Sequence, residues 1–140
     1  MSIQYFNEDI SFPKVKKRII TDWIKKVIVA EGKEVGDISF ISCSDEYLLE
    51  VNKKFLEHDY YTDVITFDYV ENDIISGDIF ISIDRIKANS VEFKCDFTNE
   101  FLRILIHGVL HLIGYKDKTK SDKLLMTQKE DFYLNLYFSF

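Results

Sequence analysis

The chain has 140 residues, a length that suits one hydrophobic core and leaves little room for a second. Its 46% apolar and 15% aromatic content excludes a disordered or low-complexity chain. A net charge of −6, with a pI near 5.0, excludes a general nucleic-acid binder, whose affinity comes from neutralising phosphates.

Any contact with nucleic acid must therefore use a metal or a local basic patch, at residues 14–18 or 115–123. No run approaches the roughly 18 apolar residues of a membrane helix. The stretch MSIQYFNEDI carries acids and no long apolar core, so no signal peptide is expected. A cytoplasmic protein without a membrane partner is the reading. Cys43 and Cys95 are too few for a disulfide framework and are expected as buried reduced thiols.

Residues 2–6 read as a strand. Pro13 suits the first turn of a helix, where a missing N–H is harmless. Val15, Ile19, Ile20, Trp23, Ile24, Val27 and Ile28 then follow at helical spacing, with Gly32 as the stop. Residues 37–42 alternate as a strand. Ser44 is an N-cap with acids in the first turn behind it, opening a helix through Tyr47, Leu48, Val51 and Phe55. Residues 62–70 are β-branched and aromatic, a strand; residues 72–77 resemble a turn, and residues 77–83 a further strand. Residues 84–93 should form a short helix, 99–113 a strong one, and 121–137 a final one. In the last, Leu124, Leu125, Gln128, Phe132 and Leu136 fall at helical steps, and Phe132 and Leu136 are expected to pack in the core. Phe138 and Phe140 are left as a contact surface. The expected class is α+β: a single domain over residues 1–140, with one small mixed sheet of about four strands and about five helices packed on it.

The helix at 99–113 carries the chemistry. In EFLRILIHGVLHLI nearly every position is apolar except Glu100, Arg103, His107 and His111, spaced three, four and four. Those steps keep them on one narrow face. Two histidines at i and i+4 can reach one ion. Gly114 can end the helix and let Asp117 turn back as an oxygen ligand. Three protein ligands, His107, His111 and Asp117, leave a position for water, the mark of a catalytic site. This is the zincin-like spacing of the long metzincin motif with two changes. Gly108 stands where those proteases have their general base, which argues against peptide hydrolysis. Asp117 replaces a third histidine, so the set is less positive and lowers the pKa of bound water less. One divalent ion is expected, zinc first, with manganese or iron as alternatives. His58 is the other candidate for third ligand.

HGVLHLIGYKDK resembles the H-G-x-L-H-L-x-G-Y-D-H signature of the YbeY family, through His107, Gly108, Leu110, His111, Leu112, Gly114 and Tyr115. NKKFLEHDYYTDVITF resembles a second family segment through Asn52, Asp59, Thr62, Asp63, Val64 and Phe67, and GDIFIS resembles its G-D-I-x-I strand. Glu100, seven before the first histidine, also fits. The similarity runs in order from about Ser44 to Met126. The resemblance implies a metal-dependent, single-strand-specific endoribonuclease. It would act in 3′-end maturation of small-subunit ribosomal RNA and in ribosome quality control, with a ribosomal particle or ribosome-associated protein as partner. The family's third histidine falls at Asp117, and a family arginine falls at Leu56. Arg103 could supply that charge and, with a lysine of the 116–123 loop, pair with phosphate. Glu100 would fix Arg103 or a neighbouring backbone group. Asp63 and Asp78 are placed in supporting or capping roles, and the general base is unassigned. A metal-stabilised ribosome-assembly protein without catalysis and a peptidase are the competing readings.

Overall fold

The computed structural model describes residues 2–139. Nine elements follow in order: β1 (Ile3–Asn7), α1 (Lys17–Ala30), β2 (Glu34–Cys43), α2 (Asp45–Leu56), β3 (Val64–Asp68), β4 (Ile74–Ser82), α3 (Ile83–Glu92), α4 (Phe97–Ile113) and α5 (Lys120–Phe138). The strands form one sheet in the order β1-β2-β4-β3. β1, β2 and β4 are parallel and β3 is antiparallel to β4, so the sheet is mixed and the class is α+β as expected.

Strand alternation divides the core. Ile38 and Phe40 of β2, with Ile75, Ile79 and Ile81 of β4, meet α1, α3, α4 and α5 in the main cluster. The other face carries a smaller cluster, in which Cys43 and Ile65 meet Leu48 and Val51 of α2. Trp23 is fully buried, and its indole N–H donates to the Tyr133 carbonyl at 2.7 Å, tying α1 to α5. Ser44 caps α2 as the sequence suggests, accepting the Tyr47 N–H at 3.1 Å.

Several boundaries move, each for a local reason. The first helix opens at Lys17 rather than Pro13. Phe12 and Val15 are drawn against the core ahead of it, with the Phe12 ring edge-on to Phe101 at 5.5 Å, and that anchoring leaves residues 13–16 out of the helix. β4 begins at Ile74, because the turn tightens to Glu71–Ile74 around a left-handed Asn72. Cys95 is exposed, not buried, whereas Cys43 is buried and its thiol is pushed up to about 12 by burial and nearby carboxylates.

The final helix presents a different face from the one its apolar spacing suggested. Met126, Glu130, Tyr133 and Leu134 are buried, while Leu124, Leu125 and Phe132 are exposed. Leu136 does pack against the core in part, Phe138 is exposed, and Phe140 lies outside the described residues.

Candidate metal centre

α4 is apolar almost all round, and its sheet-facing side sits unusually close to β4. A Cβ on Gly108 would meet Ile79 Cγ2 at 2.9 Å and Cδ1 at 3.2 Å. The residue after His107 therefore faces packed side chains, and no acid side chain can stand there. This is the physical reason that the protease general base has no counterpart. At the end of α4, Gly114 has φ of 125°, a conformation that L side chains rarely adopt, and the chain turns back.

That turn delivers three donors to one point. His107 Nε2 and His111 Nε2 are 2.9 Å apart, and Asp117 Oδ2 lies 3.4 Å from each. The outer ring atoms have partners of their own. His111 Nδ1 lies 3.0 Å from the Tyr115 carbonyl, which can only accept, so the ring proton sits on Nδ1 and the Nε2 lone pair points inward. His107 Nδ1 faces Glu130 Oε2 at 2.5 Å, which places its proton in the same way. Two imidazole nitrogens and a carboxylate oxygen facing each other repel unless a proton or a metal ion lies among them. Tetrahedral ligands about 2.0–2.1 Å from a zinc ion stand about 3.3 Å apart, so this triangle fits such an ion. The three side chains are half-buried, and Asp117 lies nearest solvent.

A chain of carboxylates supports the pair. Glu130, only 6% exposed, takes His107 on one oxygen and Arg103 Nη1 on the other at 2.9 Å. Arg103 Nη2 donates to Asp131 at 2.5 Å. Burial disfavours charge on His107, yet Glu130, Asp117 and Asp63 outweigh it and hold the imidazole above its ordinary pKa. Glu130 was not legible from the histidine motif. Its signal is a lone acid on the Met126-Glu130-Tyr133-Leu134 stripe, the counterpart of the polar stripe on α4. Such an acid beyond a ligating histidine orients the ring and strengthens its donor atom.

Arg103 lies on the expected stripe, but both ends of its guanidinium are engaged by Glu130 and Asp131 of α5. Glu100 is buried and takes a hydrogen bond from the Asn89 amide; Asn89 also donates to Asp63 at 3.3 Å. Burial, then the neighbouring Asp63 charge, raises the Glu100 pKa, and burial raises that of Asp63. His58 is exposed on the α2–β3 loop beside Tyr60 and outside the three-donor group. Asp78 alternates away from α4 and accepts the Tyr69 hydroxyl at 3.2 Å. Lys116, Lys118, Lys120 and Lys123 are exposed on and after the ligand loop.

A four-stranded mixed sheet, crossed by a helix with two imidazoles and a carboxylate beyond a glycine turn, defines an α+β protein with a three-donor candidate metal centre open on one side. The chain belongs to the YbeY family: the family model described as Endoribonuclease YbeY matches residues 3–137. It is 50% identical over 131 residues to the Endoribonuclease YbeY of Parabacteroides distasonis, covering 94% of this chain and 92% of that one. It is 48% identical over 132 residues to the Endoribonuclease YbeY of Flavobacterium psychrophilum, covering 94% of each. The solution structure of TM1509 from Thermotoga maritima matches with a TM-score of 0.70 at 26% identity, over 99% of this chain and 90% of that one.

Proposed function

We propose that this chain is a metal-dependent endoribonuclease that cuts single-stranded RNA in the 3′-end maturation of small-subunit ribosomal RNA and in ribosome quality control. The observation that carries the chemistry is the convergence of His107 Nε2, His111 Nε2 and Asp117 Oδ2 on one point at the solvent edge of a buried helix. The donor set of two imidazoles and one carboxylate suits zinc best. A divalent ion held there would polarise a phosphoryl oxygen and lower the pKa of a bound water.

The residues of the chain do the rest by position. The Tyr115 carbonyl and Glu130 fix which nitrogen of each imidazole carries its proton. Arg103 acts through Glu130 rather than on phosphate. Asp63 adds negative charge near His107. The exposed lysines around Asp117 take the phosphates on either side of the cut, the local basic patch that a chain of net charge −6 requires. A ribosomal particle or a ribosome-associated protein presents the RNA, and the setting is the cytoplasm. Among the described residues, no helix is long and apolar enough to cross a membrane.

The test is cleavage of one RNA sequence, presented as a single strand and as a duplex, by zinc-loaded wild-type and His111→Ala protein. Wild type should cut the single strand and spare the duplex, and His111→Ala should be slower by about 100-fold or more. Equal cutting by the variant, or none by the loaded wild type, would sink this reading.

A further inference from the structure

The ligand loop is fastened to the first helix by a cluster that the proposed mechanism does not use. Glu31 closes α1, and its side chain is only 10% exposed. One of its oxygens accepts the Tyr115 hydroxyl at 2.5 Å. The other accepts the Tyr133 hydroxyl and the Lys129 ammonium, the latter at 3.3 Å. Lys129 also lies over the Tyr115 ring, 5.6 Å from its centroid.

Tyr115 is thereby held at three points. Its N–H donates to the Leu110 carbonyl at 3.0 Å, its carbonyl accepts from His111 Nδ1, and its hydroxyl is taken by Glu31. The residue before it, Gly114, has no side chain, and a Cβ there would have nothing within 4 Å. Gly114 thus cannot anchor the turn by packing. Two residues after Tyr115 comes Asp117. The segment that orients one metal donor and delivers another is fixed by a carboxylate that lies 84 residues from Tyr115 in the chain.

We propose that Glu31 is a positioning residue for the metal centre: by holding the Tyr115 hydroxyl it sets the backbone that orients His111 and brings Asp117 to it. This rests on the reading of His107, His111 and Asp117 as a metal site. It differs from a purely structural role, which would change stability and leave the affinity of the folded protein for metal alone.

The experiment is a zinc titration of the full chain against a chromophoric chelator, with thermal melts of the metal-free proteins alongside. Tyr115→Phe and Glu31→Ala should each weaken zinc binding about 10-fold, in the range set by the loss of groups that support metal ligands. Glu31→Gln keeps an acceptor oxygen for Tyr115 and should recover most of that loss. Tyr133→Phe removes a bond to the same carboxylate without touching the loop, so it should lower the melting temperature and keep zinc affinity near wild type. Should Glu31→Ala not fold, Tyr115→Phe carries the test alone. Wild-type zinc affinity in Tyr115→Phe overturns the proposal, whatever happens to stability. His111→Ala in the same titration separates the two levels. If it too binds as wild type does, the metal site itself has been misread; if it alone loses zinc, only the role of Glu31 falls.

Discussion

At Glu31, beside α4, and at Glu100, on α4, carboxylates are buried under opposite conditions. Glu31 has two hydroxyls and an ammonium aimed at it. Burial pushes its pKa up, but those donors outweigh it and hold the carboxylate below its ordinary range. Glu100 and Asp63 share the Asn89 amide, Asp63 also accepts the backbone N–H groups of Asp63 and Val64, and the two lie near enough for Asp63 to raise Glu100. Burial is the largest cause of the raised pKa of each, and His107 beside Asp63 and Arg103 beside Glu100 offset it only in part. A saturated carboxylate is a strut. Two acids whose burial raises their pKa are held there by the rest of the structure, as groups with a chemical task commonly are.

Breaking the strut should have the largest effect on stability. Glu31→Ala leaves two hydroxyls and an ammonium without their acceptor, and urea melts should show a loss of about 2 kcal/mol. Relieving the crowded pair should act the other way. Asp63→Asn or Glu100→Gln should gain about 1 kcal/mol while RNA cleavage falls, a trade of activity for stability; a destabilised and fully active Asp63→Asn protein would remove the contrast.

The pH dependence sharpens the same comparison. The folded pKa of Glu31 lies below its unfolded value, so the stability that it contributes is complete above about pH 4.3 and is lost as pH falls through the folded pKa. Asp63 and Glu100 have folded pKa values above their unfolded ones, so their ionised forms destabilise the fold at neutral pH. That penalty is relieved as pH falls through the folded values towards about 4. Melts of Glu31→Gln, Asp63→Asn and wild type across this range should show the Asp63→Asn advantage shrinking first on acidification. The deficit of Glu31→Gln should persist to lower pH. The smallest effect is expected of Tyr133→Phe, which removes one of the bonds to Glu31 and should lower stability by about 0.5 kcal/mol in the same melts.

The convergence on α4 is legible because it is written against an apolar background: two histidines four apart, a glycine and an acid stand out from the packing positions. Ser44 was legible because a capping hydroxyl acts within its own turn. What stayed hidden depends on contacts across the chain. Glu130 and Glu31 reach α4 and its loop from α5 and α1, and nothing in their local sequence names those partners. The face of α5 was misjudged for the same reason. Periodicity counts a buried acid as polar and so turns the helix towards Phe132, which is 64% exposed. Arg103 stood on the right stripe, but two carboxylates of α5 decide what it touches. Gly108 gave its absence of an acid at once, and only the close approach of Ile79 gives the cause.

The proposed activity depends on a metal at His107, His111 and Asp117. Its most direct test is elemental analysis, with stoichiometry, of the purified wild-type, His111→Ala and Asp117→Ala proteins after loading and desalting. About one transition-metal ion per wild-type chain is expected, with loss of it in both variants. Wild-type protein without metal, or variants that keep the full complement, would contradict it.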